Sequence, residues 1–250
     1  MATIAVFNQK GGVGKTTTAL NLAAALAILE RNPLAIDLDP QGHLTHALGL
    51  EAGSGIGAFF RNESSLSGLI QARPIGLRAI GASQDLSKID ALSGKDKHAA
   101  TRLRDGLSAE FGPDGAPVII DCCPMLGVLS LNAIMSAEKV LIPVSADFLS
   151  MQGVQRVVSL LSVLEARFGR RYDYRIVMTR FDTRRKLAYS THEALKQKFE
   201  GKVCGARIME NVALAESPAH GKDVFSHAPN SQGAKDYYAL TRELIEQGFI

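Results

Sequence analysis

The sequence predicts an α/β fold, a single doubly wound domain covering residues 1–250 around a mainly parallel sheet. Three observations carry that expectation. Apolar runs of four to six residues alternate along the chain with helical patterns of eight to eighteen. The runs are apolar throughout, as strands buried on both faces are, and do not alternate polar with apolar. With 250 residues, 46% of them hydrophobic and 21% charged, the chain is large enough for a full core and too apolar for disorder.

Taken in order, the first expected strand is Thr3–Phe7 (TIAVF), followed by Phe7–Thr18 (FNQKGGVGKTTT) and an alanine-rich helix over Thr16–Leu29. Strand, glycine loop and helix in that order make a phosphate cradle: backbone N–H groups and the helix N-terminus face an anion. Gly11, Gly12 and Gly14 let the backbone approach oxygens closely. Lys15 would neutralise β- and γ-phosphates, the Thr16 hydroxyl would ligate Mg²⁺, and Val13 and Thr17 complete the loop. The ordinary pattern GxxxxGK[ST] needs glycine at position 9, where Gln9 stands, and a second lysine, Lys10, precedes Lys15 by five residues.

The second strand, Leu34–Asp37, runs into Asp39-Pro40-Gln41-Gly42, a turn-forming sequence with two acids at its start. Gly53–Gly57 and Ser93–Lys97 read as surface loops on either side of a strand at Leu77–Ile80. A helix is expected over Ala99–Phe111, a strand over Pro117–Asp121 and a helix over Ser130–Ala137. Asp121 ends a buried strand, where a carboxylate would hold a Mg²⁺-bound water. A helix N-cap reading is weak there, because Pro124 follows and the helix begins later. Val140–Val144, Met151–Phe168, Tyr174–Thr179 and Leu187–Phe199 continue the strand–helix alternation. Ligands in such sheets gather at the strands' carboxyl ends.

Other features bound the function. Cys122 and Cys123 are adjacent and Cys204 is remote, a spacing that fits reduced thiols better than a metal site or a disulfide framework. No apolar run reaches membrane-span length, and the N-terminus lacks a signal-peptide layout. The stretch Tyr237–Ile250 has one Arg, two Glu and no Lys, so it lacks the basic face of an interfacial helix. A cytoplasmic protein without membrane contact is expected.

The two-lysine loop, IDLDPQG at 36–42, VIIDCCPMLG at 118–127, LNA at 131–133, VLIPV at 140–144 and LAESPAHGK at 214–222 together resemble the ParA/MinD family of deviant Walker A ATPases, most nearly its ParA branch. The resemblance runs from the first strand to the last helix and implies the P-loop NTPase fold, ATP and Mg²⁺ as cofactors, and an ATP-dependent homodimer. It also implies residue roles. Lys10 would reach the partner's phosphates across a dimer interface, with an in-cis contact as the alternative, and Gly12 would keep clear the space where two loops face each other. Asp39 would orient the attacking water, and Asp37 and Asp121 would support the magnesium shell beside Thr16.

Relatives in this family differ in output surface: membrane, DNA, or an iron–sulfur cluster. The net charge of +3 announces no acidic partner by itself, but Arg167–Lys202 holds eleven Lys/Arg against four Asp/Glu, a local +7. Within it, Arg184, Arg185 and Lys186 resemble the place where ParA proteins carry a DNA-binding arginine. The plainer reading is a solvated helix face. Glu210 and Ala213 stand where basic residues would help DNA binding. With no helix-turn-helix ahead of the first strand, operator-specific binding is not expected. Two readings follow. One is a nucleoid-associated bacterial ATPase that positions a plasmid or chromosome locus, or a protein assembly such as carboxysomes or chemoreceptor clusters, with a ParB-like or cargo-adaptor partner. The other is a MinD-like or regulatory switch that binds protein and not DNA.

Overall fold

The computed structural model describes residues 2–51, 53, 55–92, 99–113, 115–147 and 150–250. Its strands are β1 (Thr3–Val6), β2 (Leu34–Asp37), β3 (Gln71–Ala72), β4 (Arg78–Ile80), β5 (Val118–Asp121), β6 (Lys139–Ser145), β7 (Asp173–Phe181) and β8 (Val203–Met209). They form one sheet in the order β3-β4-β2-β5-β1-β6-β7-β8. Every neighbouring pair is parallel except β3 with β4. The expected doubly wound architecture is therefore the observed one. From β1 the chain steps to one side and later returns to the other, so the carboxyl end of β1 lies at a topological switch point.

The helices are α1 (Lys15–Ile28), α2 (His43–Ala47), α3 (Gly55–Phe60), α4 (Leu86–Leu92), α5 (Arg102–Phe111), α6 (Val128–Ser136), α7 (Ser150–Phe168), α8 (Lys186–Lys198), α9 (Val212–Glu216), α10 (Val224–His227) and α11 (Gln232–Glu246). They cover both faces of the sheet. In β1, Ala5 and the following Phe7 join the core with Leu103, Leu129 and Val157, while Ile4 and Val6 join the core with Leu22, Tyr237 and Leu244. Period-two alternation thus serves two cores, which is why the strand reads as continuously apolar.

Several expectations shift. Gly55–Gly57 opens α3 and is not a surface loop. Gly55 has φ +48°, and a Cβ there would lie 2.5 Å from the Ala82 carbonyl oxygen, so glycine lets the chain pack on the end of β4 and bury Ile56. The other expected loop, Ser93–Lys97, falls outside the described residues. β8 is missing from the strand reading because it is a sheet edge: Gly205 and Arg207 interrupt its apolar run. Its Gly205 and Ala206 N–H groups donate to the Glu243 carboxylate of α11, at 2.7 Å each, which covers the edge. The C-terminal stretch is core, with Tyr237, Leu240, Leu244 and Phe249 buried. Among the described residues no helix is long and apolar enough to cross a membrane.

Candidate nucleotide site

The loop after β1 is held from both sides. Asn8 Nδ2 donates to the Pro143 carbonyl (2.8 Å) while Asn8 Oδ1 accepts from Lys10 N (3.0 Å), so the turn is pinned to β6 at its start. At its end, Thr179 Oγ1 donates to the Val13 carbonyl (2.9 Å) and Arg180 Nη1 to the Gly12 carbonyl (3.1 Å). Gly12 and Gly14 have φ of +72° and +80°, the left-handed region that excludes most side chains. An added Cβ at Gly11 or Gly12 would meet nothing within 4 Å, so both glycines border open space.

That space is a cavity of about 530 Å³. Gly11, Gly12, Gly14, Lys15, Thr16 and Thr17 form its floor, and Asp39, Gln41, His43 and Pro124 one wall. The other wall is Thr179 and Arg180 with Ile208–Asn211, Leu214, Ala215 and Tyr237. The expected loop residues are thereby brought together with Asp39. Of residues 11–17, Val13 alone does not line the cavity, since its side chain is buried.

The acids lie at two depths, Asp39 at the cavity and Asp37 and Asp121 fully buried beneath it. Asp39 reaches the cavity, with Oδ1 accepting from Gln41 N (2.9 Å). Asp37 lies deeper and is already engaged: Oδ1 accepts from Asp39 N (3.0 Å), and Oδ2 from Thr45 N and Oγ1 (2.8 and 2.7 Å). Burial pushes its pKa up to about 6 against those hydrogen bonds. Asp121, beside Asp37 in the ladder, is fully buried, and neither carboxylate oxygen completes a hydrogen bond. Burial first, and then Asp37, hold its pKa well above the carboxylate range, while the Thr16 hydroxyl draws it the other way.

Lys15 is 7% exposed and its ammonium donates to the Lys10 carbonyl (3.1 Å). Burial lowers its pKa and Asp121 opposes that. A buried, unpartnered carboxylate under a lysine and a helix-start threonine fits a hydrated divalent cation that takes its remaining ligands from phosphate and water. Among the described residues no cluster of three or more His, Cys, Asp or Glu could hold a metal by protein groups alone. Lys10 does not line the cavity, and its ammonium is ion-paired with Asp147 of the same chain.

The basic window is not one surface. Arg170, Arg175 and Lys202 stand at the start of β7, where Arg170 donates to the Ala137 carbonyl and the other two pair with Asp173 at 2.8 and 2.7 Å. Arg184, Arg185 and Lys186 stand beyond its other end, about 30 Å away for a nine-residue strand. Arg184 forks onto Asp182 with two 2.9 Å bonds, and Arg185 reaches the same carboxylate at 3.2 Å. Glu210 lines the nucleotide cavity and adds negative charge near Arg184.

Sequence reasoning missed Thr179, Arg180 and the Ile208–Leu214 wall. The carboxyl-end rule could have found the first two, since Thr179 closes an expected strand. Sequence reasoning sets Glu210 only against a DNA surface, whereas the fold turns it toward the nucleotide cavity, with Asn211 beside it.

The family pattern described as an AAA domain matches residues 1–173. The chain is 40% identical to the chromosome-partitioning ATPase Soj of Thermus thermophilus over 97% of its length and 94% of that protein. It is 34% identical to the chromosome partitioning protein ParA of Myxococcus xanthus over 98% of its length and 88% of that protein. Cobyrinic acid a,c-diamide synthase from Mycobacterium smegmatis, solved with an ATP analog and magnesium, superposes with a TM-score of 0.85 at 26% identity, covering 99% of this chain and 96% of that one.

Proposed function

The chain belongs to the ParA/Soj family of chromosome-partitioning ATPases, and from that premise we propose that it binds ATP with Mg²⁺, dimerises around the nucleotide and hydrolyses it slowly until a partner protein stimulates it. One observation carries the nucleotide reading: the unpartnered, fully buried Asp121 lies under the Lys15–Thr16 end of a loop that opens on a cavity. A buried polar group without a partner is costly, and a bound ligand completes it.

Thr16 and Asp121 would hold the cation, directly and through water, and the cation would neutralise phosphate charge. Lys15 leaves the Lys10 carbonyl for phosphate oxygens. Asp39 orients the attacking water from the cavity wall, and Asp37 supports it by holding the Asp39 backbone N–H. Phosphoryl transfer to water asks for such positioning and charge neutralisation, not covalent help. Lys10 completes the partner's site after leaving Asp147. The open space at Gly11 and Gly12 supports a facing loop at that point.

The output is sequence-independent DNA binding through Arg184, Arg185 and Lys186, gated by dimerisation because two joined weak surfaces hold a duplex better than one. The purpose is movement or spacing of a cargo on the nucleoid. The shared Asp182, which already occupies two of those three cations, favours the second reading of a protein-binding switch.

A sizing experiment and a mobility shift test these readings together. With ATP and Mg²⁺ wild type should dimerise and retain non-specific duplex at low salt, and with ADP it should do neither. Lys10→Ala should bind ATP yet remain monomeric; unchanged dimerisation of that variant would sink the trans-lysine role. A dimer that never shifts DNA leaves the protein-binding switch.

A further inference from the structure

Arg180 has a backbone that only glycine adopts easily. Its φ is +50°, in the left-handed region where a Cβ crowds the following carbonyl. It also lies in an irregularity of the sheet: β7 spends three steps from Met178 to Phe181 while β8 spends two from Arg207 to Met209. An extra residue in one strand of a parallel pair is an uncommon, bulge-like irregularity, and it re-aims the side chain it carries. Glycine adopts a left-handed backbone freely, so arginine at this position stands against a backbone cost.

What the bulge accomplishes is visible in the hydrogen bonds. Thr179 and Arg180 are consecutive, and they take consecutive loop carbonyls, Val13 at 2.9 Å and Gly12 at 3.1 Å. A phosphate loop binds anions only if its N–H groups face inward, which requires its carbonyls to face away. Thr179 and Arg180, which themselves border the cavity, take two of those carbonyls and fix the loop's orientation before any ligand arrives. In a regular strand, residues 179 and 180 would point to opposite faces of the sheet, and only one could reach the loop.

We infer that Thr179 and Arg180 form a two-point clamp that holds the phosphate loop in its anion-binding orientation, with Arg180 a positioning residue for nucleotide binding. This rests on the nucleotide reading above. The clamp also ties the loop to the basic arm, because Arg180 precedes Arg184 by a single turn of chain.

Arg180→Gly separates side chain from strain. It relieves the backbone, so the urea midpoint should rise or hold, while calorimetric affinity for Mg·ATP should fall about tenfold, the loss expected for one charge-assisted hydrogen bond. Arg180→Lys keeps the charge and one reach to the carbonyl and should fall between. Thr179→Val should weaken binding similarly, and the pair with Arg180→Gly should lose less than the two singles combined, since both act on one loop. Wild-type affinity in Arg180→Gly, or strictly additive losses, would overturn the clamp. If Arg180→Gly fails to fold, Arg180→Met decides: it keeps the length and removes the donor, so affinity about tenfold below wild type upholds the clamp and wild-type affinity overturns it. A Lys15→Ala control keeps the failures apart, since tight binding by that variant overturns the nucleotide reading itself.

Discussion

At the phosphate loop Lys15 is 7% exposed and Asp121 not at all, whereas at the basic arm the side chains of Arg184 and Arg185 are 84% and 70% exposed. The loop keeps buried ionisable groups with incomplete partners, and the arm keeps exposed charge with a partner already in place. Buried groups of the first kind are tolerable only where a ligand completes them, so geometry alone points to their chemistry. Exposed groups of the second kind act through a summed field that salt screens, so their partner is a question of charge balance and not of fit. The two regions meet at Thr179–Arg180, yet they should respond to substitution on very different scales.

Lys15→Ala is expected to give the largest effect. Removing an ammonium that in the proposed reading would contact two phosphates should cost ATP about a thousandfold in affinity, at roughly two charge-assisted bonds. Calorimetry on a variant shown to be folded by circular dichroism reads this directly. Near wild-type affinity would place the loop's chemistry with the arm's, as diffuse charge.

This contrast also explains what could be read from the amino-acid sequence. The loop was legible because its requirements are local: glycines, Lys15 and Thr16 act through adjacent backbone, and Asp121 closes a strand recognisable by its apolar run. The far wall was not, because Glu210, Asn211 and Tyr237 reach the cavity only through the pairing of β7 with β8 and the docking of α11 on the sheet. The arm was legible as charge but not as a surface. A window of sequence cannot show that β7 sets Arg170 and Arg175 at one end of the strand and Arg184–Lys186 beyond the other, nor that Asp182 sits under both arginines.

A pH scan sharpens the buried side of the comparison. Asp37 titrates at about 6 in the fold against an ordinary 3.8, so the folded state holds its proton more tightly than the unfolded chain. Its contribution to stability is complete below about pH 4 and is lost as pH rises to about 6, up to about 3 kcal/mol in all. Asp121 shifts in the same direction and adds to the same sign. The part above pH 5, beyond ordinary carboxylate titration, is diagnostic. Urea midpoints of the nucleotide-free protein should fall from pH 5 to 6.5, and Asp37→Asn should flatten the slope. A midpoint rising steadily through that window would show that the carboxylate is ionised in the fold.

Asp39→Ala tests the cavity wall without touching the buried charges beneath it. Nucleotide affinity and ATP-dependent dimerisation should persist while turnover falls about a hundredfold, at the low end for loss of a group that positions a proton transfer. Turnover equal to wild type would hand the water to another wall residue, with Gln41 and His43 the neighbours to test next.

The smallest effect is expected at the arm. Asp182 holds Arg184 and Arg185 at once, and those arginines depress its pKa to about 2, so it stays ionised throughout the working range. Its side chain is 8% exposed, so the carboxylate anchors the turn while the arginines extend into solvent. If the arm binds DNA, each arginine must exchange this carboxylate for a phosphate, and the exchange costs part of what the phosphate contributes. Asp182→Asn removes the competing charge and keeps an acceptor for the turn. Exposed ion pairs are weak, so DNA retention should improve by only about threefold per protomer. The slope of log affinity against log salt should steepen by about one for each cation released to phosphate. ATP affinity should stay as in wild type, because Asp182 does not line the cavity. A mobility-shift titration at several salt concentrations with ATP and Mg²⁺ measures both quantities. Weaker retention would mean that Asp182 presents the arginines to the duplex and does not mask them. No change in either affinity or slope would remove Arg184 and Arg185 from the DNA surface and return the arm to the protein-binding reading.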